Sequence, residues 1–201
     1  MAARRNRIWA TLAGVVLLGG LSGCVGTAAP SHYYVLAVTE PDTPRRADGP
    51  SVSIGPVTLP KYLDRPQIVT RPTPNQLDLS EFDRWGGRLE DNVAQVLAED
   101  VARRLKTARV AVFPTEPTGR ADSRIAVTIT QFERVGDAGD CVLDARWRIA
   151  RPTGEPLRGN FKVTKRASGI GYAPTVAAMS AALGDLAATV ADALSGVGRG
   201  S

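Results

Sequence analysis

Chemistry-bearing residues are scarce in this chain: it has one histidine, His32, and two cysteines, Cys24 and Cys141. A nucleophile–base–orienter set needs a histidine or equivalent at its centre, and His32 stands alone on a strand-like segment, where a structural role is expected. So few nitrogen and sulfur ligands cannot assemble an ordinary zinc set, and no metal is expected. Gly169-Ile170-Gly171 lacks the further glycine and the lysine of a phosphate loop, so no nucleotide cofactor is expected either. Glu90 and Asp91 are adjacent, which makes their carboxylates diverge on a helix and suits a solvated helix start better than paired acid and base work. Basic residues alternate with acids rather than forming blocks, which excludes a nucleic-acid footprint of the usual kind. The apolar run from Ile8 to about Leu21 falls short of the roughly 18 to 20 residues that span a bilayer. A non-enzyme without a permanent membrane helix is the expectation.

That short apolar run is informative for what surrounds it. Arg4, Arg5 and Arg7 form a cationic stretch before it, and Leu21-Ser22-Gly23-Cys24 follows it with small residues at the end. The arrangement resembles the lipobox of bacterial lipoprotein precursors. The resemblance implies a signal peptide over residues 1–23, cleavage between Gly23 and Cys24, and acyl chains, palmitate among them, on Cys24. That covalent lipid is the only non-protein group expected. Several chains together make a durable anchor where one holds only reversibly. Val25 stands where an aspartate would signal retention at the inner membrane, so the expected address is the outer membrane, periplasmic face, of a Gram-negative envelope.

Cleavage would remove three arginines and no acid, so the formal charge would fall from +5 to +2. With Cys24 acylated, Cys141 has no partner, and the fold must stand without a disulfide. Cys141 itself opens an alternating run and reads as a small core residue. Residues 24–31 are the lipidated cysteine and a short tether, 32–195 a single domain, and 196–201 a flexible tail. Strand patterns cover 32–38, 51–57 and 67–71, with a short edge strand at 76–79. Leu89, Val93, Val96, Leu97, Val101 and Leu105 mark one helical stripe within 88–106. A short strand at 110–113, alternation at 125–129 and a hairpin over 141–165 follow, and a last helix begins near Pro174 with Val176, Met179, Leu183, Leu186, Val190 and Leu194 on one face. The expected fold class is α+β: a mainly antiparallel sheet with two amphipathic helices packed on one face.

Tyr33-Tyr34-Val35-Leu36, the block from Ile54 through Pro60-Lys61-Tyr62-Leu63-Asp64-Arg65-Pro66 to Arg71, and Phe82-Asp83-Arg84-Trp85 together resemble the ABC-type transport auxiliary lipoproteins, the PqiC-like intermembrane transport lipoproteins. Gly86-Gly87 departs from that pattern and obscures the helix start. The resemblance implies a docking or receiving component of an intermembrane lipid transport system. Its partners would be a protein with an MCE (lipid-carrying) domain and the ABC or permease subunits, with self-assembly as one arrangement it allows. A general envelope lipoprotein that binds a ligand or braces the envelope is the alternative. From the residues themselves, the proline-bounded segment with Tyr62, Leu63, Asp64 and Arg65 is the candidate partner interface, joined by Trp85. The competing reading folds Tyr62 and Leu63 back onto the core, while Asp64 pairs with Arg65 or a backbone amide.

Overall fold

The computed structural model describes residues 29–115, 117 and 120–196. The signal segment, Cys24, most of the tether and residues 197–201 of the tail lie outside the described residues. Residues 31–201 cluster as one compact unit, and every described core residue falls between Tyr34 and Leu194, so a chain starting at Ser31 contains the whole core.

Among the described residues, eight strands and two α-helices follow one another: β1 (His32–Tyr34), β2 (Val52–Thr58), β3 (Gln67–Thr73), β4 (Gln76–Trp85), α1 (Leu89–Leu105), β5 (Val110–Val112), β6 (Ser123–Val135), β7 (Asp140–Ala150), β8 (Leu157–Arg166) and α2 (Tyr172–Ser195). They make a single α+β domain with a mixed sheet. Its long ladders, β6–β7, β7–β8 and β3–β4, are antiparallel, while β1–β4, β2–β5, β2–β6 and β3–β6 run parallel. β6 is the axis. One of its edges pairs with β7 along its whole length, from Arg124 opposite Ala150 to Val135 opposite Asp140. The other edge serves two strands in turn, β2 beside Ser123–Thr128 and β3 beside Arg134 and Val135. The sheet therefore forks there, with β5 extending the β2 wing and β4 then β1 extending the β3 wing.

Both helices lie on one face, α1 against β2 and β5, α2 against β7 and β8, and they pack on each other. α2 has the length and apolar content of a membrane span, but Val176, Met179, Leu183, Leu186 and Val190 are all buried inside the fold, which makes it a core helix. It starts at Tyr172, with Pro174 in its first turn. Cys141 is buried, its Sγ 3.5 Å from the carbonyl oxygen of Thr175, and burial pushes the thiol up to about 11.

Two stretches differ from what alternation predicts. β4 runs ten residues rather than four, because its mostly polar and exposed side chains leave no two-residue hydrophobic rhythm to read. The first strand is correspondingly short. After Tyr34 the chain leaves the sheet and crosses the two helices as a strap, held by side chains acting as acceptors for its amides. Leu36 N–H donates to Asn92 Oδ1 (2.6 Å), Ala37 N–H to Ser180 Oγ (3.1 Å), and both Thr39 N–H (2.9 Å) and Glu40 N–H (2.8 Å) to Asp100 Oδ1. Arg103 donates to the Glu40 carbonyl at 3.0 Å, and Arg45 forms a bidentate pair with Glu99. Gly184 makes room for the crossing: a Cβ there would sit 1.9 Å from Thr39 Oγ1.

Asp100 is fully buried and its Oδ2 has no hydrogen-bond partner among the described residues, so burial raises its pKa despite the two amides. A carboxyl raised in the folded state favours folding while protonated. Its contribution is complete below the ordinary value of 3.8 and is lost as pH climbs through the raised folded value. Asp100→Asn is expected to keep the strap and to lack this loss between acid and neutral pH. Asp100→Ala leaves two strap amides without their acceptor and is expected to cost about 1–3 kcal/mol. Urea denaturation of the three proteins across that pH range checks both, and a parent-like pH profile in Asp100→Asn refutes the assignment.

Candidate functional site

Because β2 and β3 both run parallel to β6, the chain between them advances along β6 and bulges out at the fork. Prolines 60 and 66 bracket this segment, and a 3-10 turn over Lys61–Leu63 sits inside it, with Leu63 N–H bonded to the Pro60 carbonyl at 2.9 Å. Leu63 is 2% exposed and plugs the fork from within. Tyr62 turns to the other side and donates its hydroxyl to Glu133 Oε2 at 2.9 Å.

Glu133 is a carboxylate with no exposure at all, near the end of β6. It survives there because donors converge on it: Arg71 Nε at 2.6 Å, Tyr62 Oη, Gln131 Nε2 at 3.2 Å and the Phe132 amide at 3.0 Å. The Arg71 guanidinium also lies over the Tyr62 ring, 5.3 Å from its centroid. The hydrogen bond to Glu133 raises Arg71, and burial together with the Glu133 charge pushes Tyr62 up to about 12. Tyr62, Arg71, Pro72–Pro74 and Gln131 rim a concavity of about 620 Å³ over this network. Glu133 accepts from both Tyr62 and Arg71, and Arg71 Nη1 also donates to the Pro74 carbonyl at 3.2 Å, so the arrangement is a clasp that ties the fork segment and β3 to β6.

A second concavity, about 400 Å³, opens beside the clasp between Asp64–Pro66, Trp85–Leu89 and Tyr33. Backbone bonds close it at one side, Trp85 N–H to the Pro66 carbonyl (2.7 Å) and Gly86 N–H to the Tyr34 carbonyl (2.8 Å). Gly86 permits the close approach, since a Cβ there would lie 3.1 Å from Val35. α1 begins at Leu89, after an extended Arg88. Arg88 Nη2 lies 4.0 Å from Asp64 and 3.6 Å from Glu90, so Asp64 pairs with Arg88 and not with Arg65. Arg65 Nε is buried without a hydrogen-bond partner among the described residues. Tyr33, 67% exposed, and Val35, 62% exposed, present bare apolar surface at the rim.

The five sequence-proposed interface residues are thus divided. Asp64 and Arg65 share this groove with Trp85, but Trp85 is only 5% exposed and Leu63 belongs to the core, so neither offers much surface to a partner. Tyr62 is half-buried and faces the clasp. Tyr33, Val35 and Arg88 were not singled out by sequence reasoning, since a tyrosine and a valine in a strand pattern read as core. No group of three or more histidine, cysteine, aspartate or glutamate side chains able to hold a metal occurs among the described residues.

Breaking the clasp at either end gives a graded expectation. Tyr62→Phe removes one donor to Glu133 and should cost about 1–3 kcal/mol. Arg71→Ala leaves the buried carboxylate without its cation and should cost about 3–5 kcal/mol. Denaturant unfolding measures both; equal costs, or none for Arg71→Ala, would show that Glu133 does not depend on this pair.

Known proteins were compared with the chain. No curated protein matches the sequence significantly. Among solved structures, a crystallised uncharacterised protein superposes with a TM-score of 0.71 at 19% identity, covering 83% of this chain and 99% of that one. Protein XCC0632 from Xanthomonas campestris superposes with a TM-score of 0.65 at 17% identity, covering 83% and 97%. Identities this low show the fold alone. The sequence itself matches the model of the ABC-type transport auxiliary lipoprotein component over residues 34–191, which runs from β1 almost to the end of α2, and the chain belongs to that family.

Proposed function

We propose that this protein is the outer-membrane-anchored, periplasmic, non-catalytic component of an MCE/ABC-type lipid transport system, in which it docks or receives the MCE-domain partner. The observation that carries the reading is the family match across nearly the whole folded domain, whose name ties the chain to an ABC-type transport system. The committed hydrogen bonds of the fork clasp and the single histidine support a non-catalytic part. Cys24, with its acyl chains, is the anchor; the residues that precede it in the sequence support this, and Val25 supports the outer membrane.

The groove bounded by Asp64, Arg65, Arg88 and Tyr33 is the docking surface. It combines exposed apolar area with charges, and its walls are fixed by backbone hydrogen bonds, so little order has to be gained on binding. Leu63 and Trp85 act from beneath as its support, and Tyr62 acts by holding the fork.

The test is to isolate the acylated protein from envelopes in mild detergent and identify what comes with it. An MCE-domain protein is expected with the parent. Tyr33→Ala combined with Asp64→Arg is expected to reduce its recovery at least about tenfold, corresponding to roughly 1.4 kcal/mol, with an unchanged melting temperature. Cys24→Ala is expected to leave the domain folded in the soluble periplasmic fraction. Recovery without any MCE partner from the parent overturns the functional reading, and an unaffected double variant overturns the docking surface.

A further inference from the structure

The sequence interleaves basic and acidic residues, but the register of the sheet gathers the arginines. On the sheet face turned away from the helices, Arg148 stands directly opposite Arg158 across the β7–β8 ladder. Arg146 is two residues along the same strand face, and Arg124 lies on β6 opposite Ala150. Arg120 and Arg151, with Arg124, line a shallow cavity of about 420 Å³ at this end of the sheet. Like charges directly opposite each other on a sheet face are destabilising. The other end of the same ladder is built in the opposite way: Asp144 faces Lys162, their charged atoms 3.3 Å apart, and Asp140 faces Arg166 at 3.0 Å.

Arg120, Arg146, Arg148, Arg151 and Arg158 make no ion pair or side-chain hydrogen bond among the described residues. The described acids nearest in sequence do not change this: Asp144, two residues from Arg146 on the same face, is held by Lys162 and the Thr130 hydroxyl, Asp122 accepts from the Ser51 amide at 2.8 Å, and Glu155 is exposed in the β7–β8 turn. Four of these five arginines are exposed, and Arg151 is half-buried. On either side of Arg146 lie Thr128 and Asn160, exposed and polar. The one large exposed apolar side chain nearby, Phe113, is covered by the Arg124 guanidinium 5.2 Å from its ring centroid.

We infer that this arginine face docks on a bilayer surface rich in anionic phospholipid. A protein partner of ordinary kind is gripped by a desolvated apolar or aromatic centre, which this face lacks. A field of unpaired guanidinium groups on an open strand face instead matches a planar layer of phosphates, which arginine binds in bidentate fashion. Each basic residue at an anionic membrane surface contributes about 1 kcal/mol, and the attraction fades within a Debye length as salt is added. The inference does not need the Cys24 lipid. With that lipid, the domain would hold its membrane by a chain and a face together.

The test is therefore made on residues 31–201, which contain the whole core and no anchor, by sedimentation with vesicles of phosphatidylcholine alone or mixed with phosphatidylglycerol. Binding is expected only to the mixed vesicles, and it should fall as salt rises. Arg148→Ala with Arg158→Ala should weaken it about 30-fold, about fivefold for each charge, with an unchanged melting temperature. Arg166→Ala combined with Asp140→Ala, which removes a matched pair and no net charge, should leave it nearly unchanged. No sedimentation with the mixed vesicles, parent-like binding by the double variant, or capture by an acidic polypeptide but not by vesicles would each overturn the inference.

Discussion

One edge of β6 has to serve two strands. β2 occupies its first half and β3 its far end, both parallel to it, so the sheet cannot close as a simple row. The rest of the molecule answers that constraint. The chain between β2 and β3 leaves the sheet at the fork, Leu63 fills the gap from within, and Glu133 is sealed beneath Tyr62 and Arg71. A buried carboxylate is a costly filler unless every lone pair is used. Here the donors come from β3, from the fork segment and from β6 itself, so those three are tied together through one side chain.

The legible parts of this fold were those in which a single element repeats its own pattern. The stripe from Leu89 to Leu105, the α2 stripe and the alternation on either side of the 152–156 turn each report a local periodicity, and the elements lie within about two residues of where that rhythm puts them. What sequence could not reveal depends on register between distant segments. β4 beyond Leu79 is mostly polar, and what holds it to β1, such as Tyr34 Oη donating to Asp83 Oδ1 at 3.0 Å, joins residues far apart in sequence. Asp100 looks like one more solvated helix acid until the strap is laid over it. Gly184 looks like a weakness in a helix until Thr39 is placed against it. The candidate site was half legible: the proline-bracketed segment announced a constrained loop, yet which of its side chains face outward followed from the fork. The arginine face was hidden for the same reason, because alternating signs along a strand say nothing about which sign stands opposite.

The two candidate surfaces have different physical characters and lie on different parts of the sheet. The groove beside β1 is small, rigid and partly apolar, with Asp64 and Arg88 at its margin. The arginine face is broad and polar, and among the described residues its basic groups outnumber its acids. One sheet supplies both because the β3–β4–β1 wing and the β7–β8 hairpin extend from opposite edges of β6.

The strap carries a mechanical consequence. Any tension on the chain ahead of Ser31 enters through the three β1–β4 pairs and then meets amides held by Asn92 and Asp100 on α1 and by Ser180 on α2. The load is divided between two helices that are already packed on each other and on the sheet. A pull at the amino-terminal end is thereby spread into the core rather than spent fraying one edge strand.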